Sequence, residues 1–315
     1  MNARFLLNLV AIGCLLIGWA LNAYSQTEHN GAQAVAVIGS GKPELDAYFI
    51  GLIENRAGPN VAFNLLPPDA DLKTLLNEPV ITIGPKAFDR LYRTKPDAAI
   101  LGTLIEYQFL DRYPHENSGK LSAVLYDVPF LRQALTGKTI LPHATKVAVL
   151  ASPHNGPRYA SLLEGLGEYG LEGQVFLVNT QEQLIPTLIR ALNYGDLLLG
   201  TPNHDIYHPR NIKHILLTAY RRNKILIGPS QAYVKAGSIA SSYPTYSSMA
   251  DKTAEFLNFY QENGDFPPAS YPESFSVKIN RQVARSLNIP LSQPELISKR
   301  VDELLLNPTQ GESDD

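Results

Sequence analysis

The stretch at residues 196–240 reads DLLLGTPNHDIYHPRNIKHILLTAYRRNKILIGPSQAYVKAGSIA. Two short apolar runs, each closed by glycine, proline and other turn residues, flank one segment with helical spacing. This order predicts a right-handed βαβ unit with two parallel strands. Ligands of such sheets bind at the carboxyl ends of the strands. The residues that follow the two runs are therefore expected at a small-molecule site: Thr201, Asn203, His204, Pro229 and Ser230.

The same alternation continues on both sides of this stretch. Apolar runs that end in glycine or proline alternate with helical segments over residues 33–125, and the pattern begins again at residue 147. Such endings are typical of the loops that lead from a strand into a helix. Two consecutive alternating halves with no obvious linker predict a two-lobed α/β protein.

The composition limits the class of partner. The 27 basic and 30 acidic residues give a net charge of −3. The chain therefore lacks the excess of positive charge that is typical of proteins that bind nucleic acid. We therefore predict no nucleic-acid partner. The 16 tyrosines leave two interpretations open: ordinary aromatic packing, or a cleft that receives an aromatic or planar ligand.

The N-terminal segment predicts export. An apolar run at residues 5–21 precedes Ala23 and Ser25, small residues of the kind that a signal peptidase reads. We therefore predict a signal peptide over residues 1–25, cleaved near Ser25, and a periplasmic location. An uncleaved membrane anchor and a lipidated Cys14 are the alternatives. Cys14 is the only cysteine, so we expect the mature chain to fold without disulfides.

Two patterns suggest cofactor chemistry without completing it. The turn at residues 39–42 precedes a helix and can present backbone N–H groups to an anion, but it lacks the glycine spacing of nucleotide-binding loops. His204 and His208 have the i, i+4 spacing of metal ligands on a helix, and Asp205 between them offers a ligand or a partner for one. However, Pro209 disfavours one continuous helix, and a further ligand would have to come from His154 on a neighbouring loop. We therefore predict no cofactor and no metal. None of the serines that follow strands lies in a Gly-x-Ser-x-Gly elbow, so no enzyme activity is predicted either.

Four segments match a known family in their order and spacing. They are residues 42–46 (KPELD), 141–153 (LPHATKVAVLASP), 201–240 and 278–290 (KINRQVARSLNIP). On these segments the chain resembles the substrate-binding proteins of ABC importers in the tryptophan/tyrosine-binding family, which have the type 1 periplasmic-binding fold. The match covers most of the mature chain and is strongest in its second half.

The resemblance implies an α/β protein of two Rossmann-like lobes with parallel sheets, joined by a hinge, that binds a ligand without catalysis. In such proteins the ligand contacts both lobes only in the closed state and so stabilises that state. The implied partner is an ABC permease in the inner membrane. The implied hinge segments lie near residues 143–147, 241–245 and 274–278. The expected division is an N-terminal lobe of residues 33–144 and 244–275, a C-terminal lobe of residues 145–243 and 276–305, and a disordered tail at residues 306–315.

Departures from the family bear on the ligand. Where the family usually has Thr-Asp-Asn at the cleft, this chain has Pro202, Asn203 and His204. The family's aspartate is a natural partner for a ligand ammonium group, and Asn203 keeps its size but not its charge. This change argues against an α-amino acid ligand. Arg158, at the start of a helix that faces the cleft, is either a partner for a ligand carboxylate or a solvated surface arginine.

Six residues are predicted to converge on one pocket between the lobes: Ser40, Gly84, Arg158, Asn203, His204 and Ser230. The expected ligand is a small organic molecule, aromatic or carboxylate-bearing. The expected function is that of an exported solute-binding protein that delivers this ligand to an ABC importer. The alternative is a periplasmic ligand sensor, or an interaction subunit of a signalling system, with the same fold.

Overall fold

The computed structural model describes residues 33–58, 61–75, 78–113, 119–203 and 205–308. The predicted signal peptide (1–25) and residues 309–315 of the predicted tail lie outside these ranges. Among the helices in the described ranges, none combines the length and the apolar composition needed to cross a membrane.

The first lobe is built on a five-stranded sheet in the order β2-β1-β3-β4-β5, with every neighbouring pair parallel. Its strands are almost continuously apolar, as is typical of parallel strands covered on both faces. The strands are β1 (Gln33–Ile38), β2 (Val61–Leu66), β3 (Val80–Ile83), β4 (Ile100–Ile105) and β5 (Leu121–Leu125). The helices between them are α1 (Pro43–Ala57), α2 (Pro85–Thr94) and α3 (Tyr107–Leu110), with a 3₁₀ turn at Leu72–Thr74.

The second lobe is built on a six-stranded sheet in the order β11-β10-β9-β8-β6-β7. All neighbouring pairs are parallel except β10 and β11. The strands are β6 (Lys146–Ala151), β7 (Glu172–Leu177), β8 (Leu197–Leu199), β9 (Ile225–Ile227), β10 (Ala240–Tyr243) and β11 (Ser276–Ile279). The remaining helices are α4 (Phe130–Ile140), α5 (Gly156–Glu164), α6 (Leu184–Tyr194), α7 (Pro209–Arg221), α8 (Gln231–Ala236), α9 (Tyr246–Asn263), α10 (Arg281–Ser286) and α11 (Pro294–Leu306), with 3₁₀ turns at Gly165–Tyr169 and Gln181–Gln183.

The predicted βαβ unit is present as β8-α7-β9, with parallel register from Leu197 paired with Ile225 to Leu199 paired with Ile227. The structure thus confirms an α/β architecture with two lobes, each on a largely parallel sheet. Helices cover both faces of each sheet. In the first lobe, Phe49 of α1 and Phe256 of α9 share one core, and Phe88 of α2 belongs to the core on the opposite face.

The chain crosses between the lobes three times, at residues 126–129, 244–245 and 271–275. The second crossing ends where α9 begins, because Thr245 and Ser248 form a capping box there. Helix α9 then packs beside α1, and the guanidinium of Arg56 bonds to Ser247 at a distance of 2.6 Å and also to Asp251. These contacts attach α9 to the first lobe, although it follows a strand of the second.

The first crossing lies earlier than the sequence predicted. The expected lobe boundary at residue 144 and the expected hinge at residues 143–147 both follow α4, but α4 packs on the second sheet, where Leu135 shares a core with the strands β8 and β9. The helix approaches the sheet closely at Gly137, since a Cβ there would lie 2.8 Å from Leu197 Cδ2. The chain therefore enters the second lobe at residues 126–129, before α4.

Candidate functional site

A cavity of about 610 Å³ lies between the two lobes, at the carboxyl ends of strands from both sheets. The first lobe and the crossings contribute one wall, and helices α4 and α5 with the ends of β8 and β9 contribute the other. The lining residues are Tyr107, Asp127, Val128, Pro129, Phe130, Leu131, Gln133, Arg158, Tyr159, Ser161, Leu162, Gly200, Pro202, Pro229 and Tyr271. Clefts of this position and size are where small ligands of α/β proteins bind.

Four aromatic side chains contribute to the walls of the cavity. Phe130 and Tyr159 pack against each other with ring centroids 5.9 Å apart and ring planes inclined by 35°. Tyr107 and Tyr271 line the same space. Burial raises the pKa of Tyr159 and of Tyr271, so both phenols remain neutral at physiological pH. Flat apolar faces with hydroxyl groups at their edges suit a planar ligand that carries polar substituents.

Arg158 is the cation of the cavity. Its guanidinium carbon lies 4.2 Å from the ring centroid of Tyr107, so the side chain of the second lobe stacks on a ring of the first. Next to it, Gln108 Nε2 donates to Tyr159 Oη at 3.3 Å, a second contact between the lobes. Arg158 lines the cavity, and no described residue accepts a hydrogen bond from its guanidinium.

Asp127 is the acidic group of the cavity, and the sequence analysis did not place it at the site. Its Oδ1 accepts a hydrogen bond from the backbone N–H of Tyr107 at 3.1 Å, at the start of α3. Burial raises the pKa of the Asp127 carboxyl to about 6, the Tyr107 hydrogen bond lowers that pKa, the nearby Glu106 raises it, and Arg158 lowers it. The cavity therefore holds a cation and an ionisable acid within electrostatic range of each other.

A second cavity of about 650 Å³ lies in the first lobe beside α3. Glu106, Gln108, Arg112 and Tyr126 provide its polar lining. Leu104, which also lines it, has φ of +54°, and the register between β4 and β5 shifts at this point. Such a conformation is unfavourable for leucine and is found where surrounding structure holds it in place. The bulge turns the end of β4 so that the following residues supply both cavities.

The two predicted residues of the first lobe lie next to each other but do not line the first cavity. The backbone N–H and the Oγ of Ser40 both donate to Asp46 Oδ1, at 2.9 and 2.6 Å. The carboxylate of Asp46 thus occupies the backbone N–H of Ser40, one of the N–H groups that the sequence offered to an anion. Gly84 has φ of +84° and precedes α2. A Cβ placed on Gly84 would lie 4.0 Å from Ser40 Cβ.

In the second lobe, Asn203 is buried and supports the loop after β8. Its Nδ2 donates to Ser152 Oγ at 3.0 Å and its Oδ1 accepts from the backbone N–H of Asp205 at 3.0 Å. Ser230 is half-buried at the start of α8, beside Pro229, which lines the cavity. His204 lies outside the described residues. Of the five predicted residues that the structure describes, Arg158 lines the cavity; convergence of the whole set stays a prediction.

His208 does not lie within a helix but caps one. Helix α7 begins at Pro209, and His208 is its N-cap, with Nδ1 accepting from the backbone N–H of Arg210 at 3.2 Å. The capping geometry follows from Pro209, which is favoured in the first turn of a helix. Within the described ranges, no three His, Cys, Asp or Glu side chains come together in a way that could hold a metal ion.

The comparisons with known proteins concern the fold. No protein-family profile matches the chain, and no curated protein sequence is detectably similar. The chain is similar in structure to a substrate-binding protein with adhesive properties from Clostridium difficile, solved in a ligand-free, open state, with 15% identity, a TM-score of 0.63, and coverage of 85% of this chain and 98% of that one. A conserved domain protein from Vibrio cholerae has 17% identity, a TM-score of 0.53 and the same coverage.

A third similar structure is the ABC domain from Streptococcus pneumonia in complex with L-Trp, with 14% identity, a TM-score of 0.51, and coverage of 85% of this chain and 98% of that one. At such identities the likeness concerns the fold alone. The class of fold is thus a two-lobed α/β fold. It is the type 1 periplasmic-binding fold, as the sequence analysis predicted.

Proposed function

We propose that this chain is an exported solute-binding protein that captures a small organic ligand between its lobes and passes it to an ABC permease. The observation that carries the proposal is the cavity lined by both lobes, with the guanidinium of Arg158 on its wall. A ligand held there contacts both lobes at once and thereby favours their closure. The similar structures include a substrate-binding protein, which supports a binding role without catalysis.

The chemistry of the cavity supports an aromatic ligand that bears a carboxylate. Arg158 offers paired N–H donors that match a carboxylate, and the rings of Tyr107, Phe130 and Tyr159 offer flat apolar faces. Asp127 adds a group that, when ionised, would pair with a ligand ammonium group. The loss of charge at Asn203 therefore does not decide against an amino acid, because Asn203 is buried away from the cavity lining.

The cellular part of the proposal rests on the sequence. The apolar run and small residues before Ser25 support a cleaved signal peptide and a periplasmic location. The partner in this setting is a permease of the inner membrane.

Thermal unfolding of the mature chain with four matched compounds tests the ligand class. L-Tryptophan carries the ring and both charges, indole-3-acetate the ring and the carboxylate, tryptamine the ring and the ammonium group, and D-ribose none of these. Binding to the folded state raises stability by about 2.7 kcal/mol when the compound is present at about 100 times its Kd. We expect stabilisation by L-tryptophan and indole-3-acetate and little by tryptamine or ribose. Stabilisation by none of the compounds with a carboxylate would contradict the proposed ligand class.

A further inference from the structure

Two adjacent residues of α3 contact two adjacent residues of α5. The guanidinium carbon of Arg158 lies 4.2 Å from the ring centroid of Tyr107, and Gln108 Nε2 donates to Tyr159 Oη at 3.3 Å. Helix α3 connects β4 and β5 of the first sheet, whereas α5 lies between β6 and β7 of the second sheet. The two contacts therefore join the first lobe directly to the second.

Tyr107 is held in place by its own side of the cleft. Its backbone N–H donates to Asp127 Oδ1 at 3.1 Å. Its side chain is half-buried and packs against the core of the first lobe that contains Phe88 and Leu110. The position of the ring is therefore set by the first lobe and not by Arg158.

Arg158 has no comparable support in its own lobe. It lies in the first turn of α5, is half-buried and lines the cavity. It forms no hydrogen bond or ion pair with any residue that the structure describes, and its guanidinium lies over the ring of Tyr107. A long arginine side chain loses conformational freedom when a ligand fixes it. A contact that restrains the guanidinium beforehand reduces this entropy cost of binding.

We propose that Tyr107 is a positioning residue for Arg158, and that its ring gives the cavity its preference for a carboxylate over a neutral group. The inference rests on the proposed function, in which the cavity is the ligand site. The charge comes from the second lobe and its placement comes from the first. Because no described residue accepts a hydrogen bond from the guanidinium, its paired N–H donors are available to a carboxylate. Affinity for a carboxylate is thereby linked to the approach of the lobes.

The test compares indole-3-acetate with indole-3-acetamide. The two compounds have the same ring and nearly the same shape, and they differ in the charge of the terminal group. Calorimetric titration of the mature protein at pH 7.5 gives both Kd values, and their ratio measures the preference for a carboxylate. A change in the apolar wall alone alters both Kd values and leaves the ratio unchanged.

Tyr107→Leu is expected to reduce this preference about fivefold to tenfold, which corresponds to the loss of one partly desolvated cation–π contact. The variant keeps the backbone N–H that bonds to Asp127. Tyr107→Phe keeps the ring and is expected to retain the preference. An unchanged preference in Tyr107→Leu would overturn the assignment. An equal loss in Tyr107→Phe would also overturn it, because the hydroxyl group and not the ring would then be responsible. If Tyr107→Leu does not fold, Tyr107→Met takes its place with the same expected result.

Gln108 provides a matched control. It is the next residue on α3 and also contacts the second lobe, but it lines the second cavity and not the first. Gln108→Leu removes the hydrogen bond to Tyr159 and leaves the Tyr107 ring beside Arg158. It is expected to change both Kd values by the same factor. A loss of preference as large as that in Tyr107→Leu would mean that any contact between the lobes has this effect, and would contradict the role of the ring.

Arg158→Ala tests whether Tyr107 acts through the guanidinium. In this background no guanidinium remains to be placed, so adding Tyr107→Leu is expected to leave the ratio of the two Kd values unchanged. A further fivefold loss of preference in the double variant would show that Tyr107 acts on the carboxylate independently of Arg158. That result would overturn the positioning role.

A measurement without ligand separates this inference from the proposed ligand class. The ring current of Tyr107 displaces the NMR signal of the Arg158 Nε–H group, which is assigned by its loss in Arg158→Lys. We expect the signal to move towards that of an unstacked arginine in Tyr107→Leu and to stay in place in Tyr107→Phe. The same signal position in Tyr107→Leu as in the unsubstituted protein would overturn the placement of Arg158 by Tyr107. If the signal moves as expected but neither indole compound binds, the proposed ligand class fails and the placement of Arg158 stands.

Discussion

Replacing Asp127 with asparagine is expected to stabilise the folded protein, by an amount that grows with pH. The folded pKa of Asp127 is raised to about 6 from the ordinary aspartate value of 3.8. A group whose folded pKa is raised binds its proton more tightly in the folded state, so its ionisation lowers stability as pH rises from about 4 to about 6. A pKa difference of about 2 corresponds to about 3 kcal/mol of destabilisation once the carboxyl is ionised.

Asp127→Asn removes the destabilisation caused by the ionised carboxylate and retains the local structure. The oxygen of the carboxamide can still accept the hydrogen bond from the backbone N–H of Tyr107. Urea unfolding of both proteins at pH 7.5 is expected to show a gain of up to about 3 kcal/mol for Asp127→Asn, falling to about 1 kcal/mol at pH 4.5.

Asp89→Asn is the control. Asp89 is on the surface of α2, where the hydrogen bond from Tyr113 lowers its pKa although burial raises it. Its ionised form therefore adds stability at neutral pH that is lost as pH falls, so Asp89→Asn is expected to lose stability at pH 7.5 and less at low pH. If Asp127→Asn were no more stable than the unsubstituted protein at pH 7.5, the ionised carboxylate would be fully compensated by Arg158, and the reasoning from burial would be refuted.

Three further experiments test other parts of the structure. Arg158→Ala is expected to weaken the binding of indole-3-acetate by about 2 to 5 kcal/mol, and Ser230→Ala by about 0.5 to 1.5 kcal/mol or less. Calorimetric titration of both variants measures these losses. Equal small losses would contradict the role of Arg158 as the partner of a ligand carboxylate. Gly137→Ala places a methyl group 2.8 Å from Leu197 Cδ2 and is expected to cost about 1 to 3 kcal/mol of unfolding free energy; a neutral result in urea unfolding would show that α4 can move away from β8. Asn203→Asp places a carboxylate in a buried position beside Ser152, so it is expected to lower the melting temperature more at pH 7.5 than at pH 4.5. An equal fall in melting temperature at both pH values would contradict the explanation by a buried charge.

Much of the fold was predictable because the pattern of apolar runs and turn residues depends on local chemistry. The unit β8-α7-β9 follows from two apolar runs around one helical segment, and Pro209 indicates where α7 begins. The lobe to which α4 belongs was not predictable in the same way. An apolar helix face fits either sheet, and the contact of Gly137 with Leu197 joins residues far apart in the sequence.

The site was less predictable, because the side chains at strand ends also bind one another. Ser40 donates hydrogen bonds to Asp46, and Asn203 donates one to Ser152. The position of a residue at a strand end does not encode either contact. Asp127 did carry a signal, since it follows the predicted strand β5 at its carboxyl end, which is the rule that selected the other residues.

A crystal structure of the mature protein with indole-3-acetate tests the central claim most directly. We predict the compound in the cavity between the lobes, with its carboxylate about 2.7 to 2.9 Å from the guanidinium nitrogens of Arg158 and its ring against Phe130 and Tyr159. A compound bound to one lobe alone, with Arg158 still stacked on Tyr107 and no ligand between the lobes, would contradict the claim that this chain captures its ligand in the interlobe cavity.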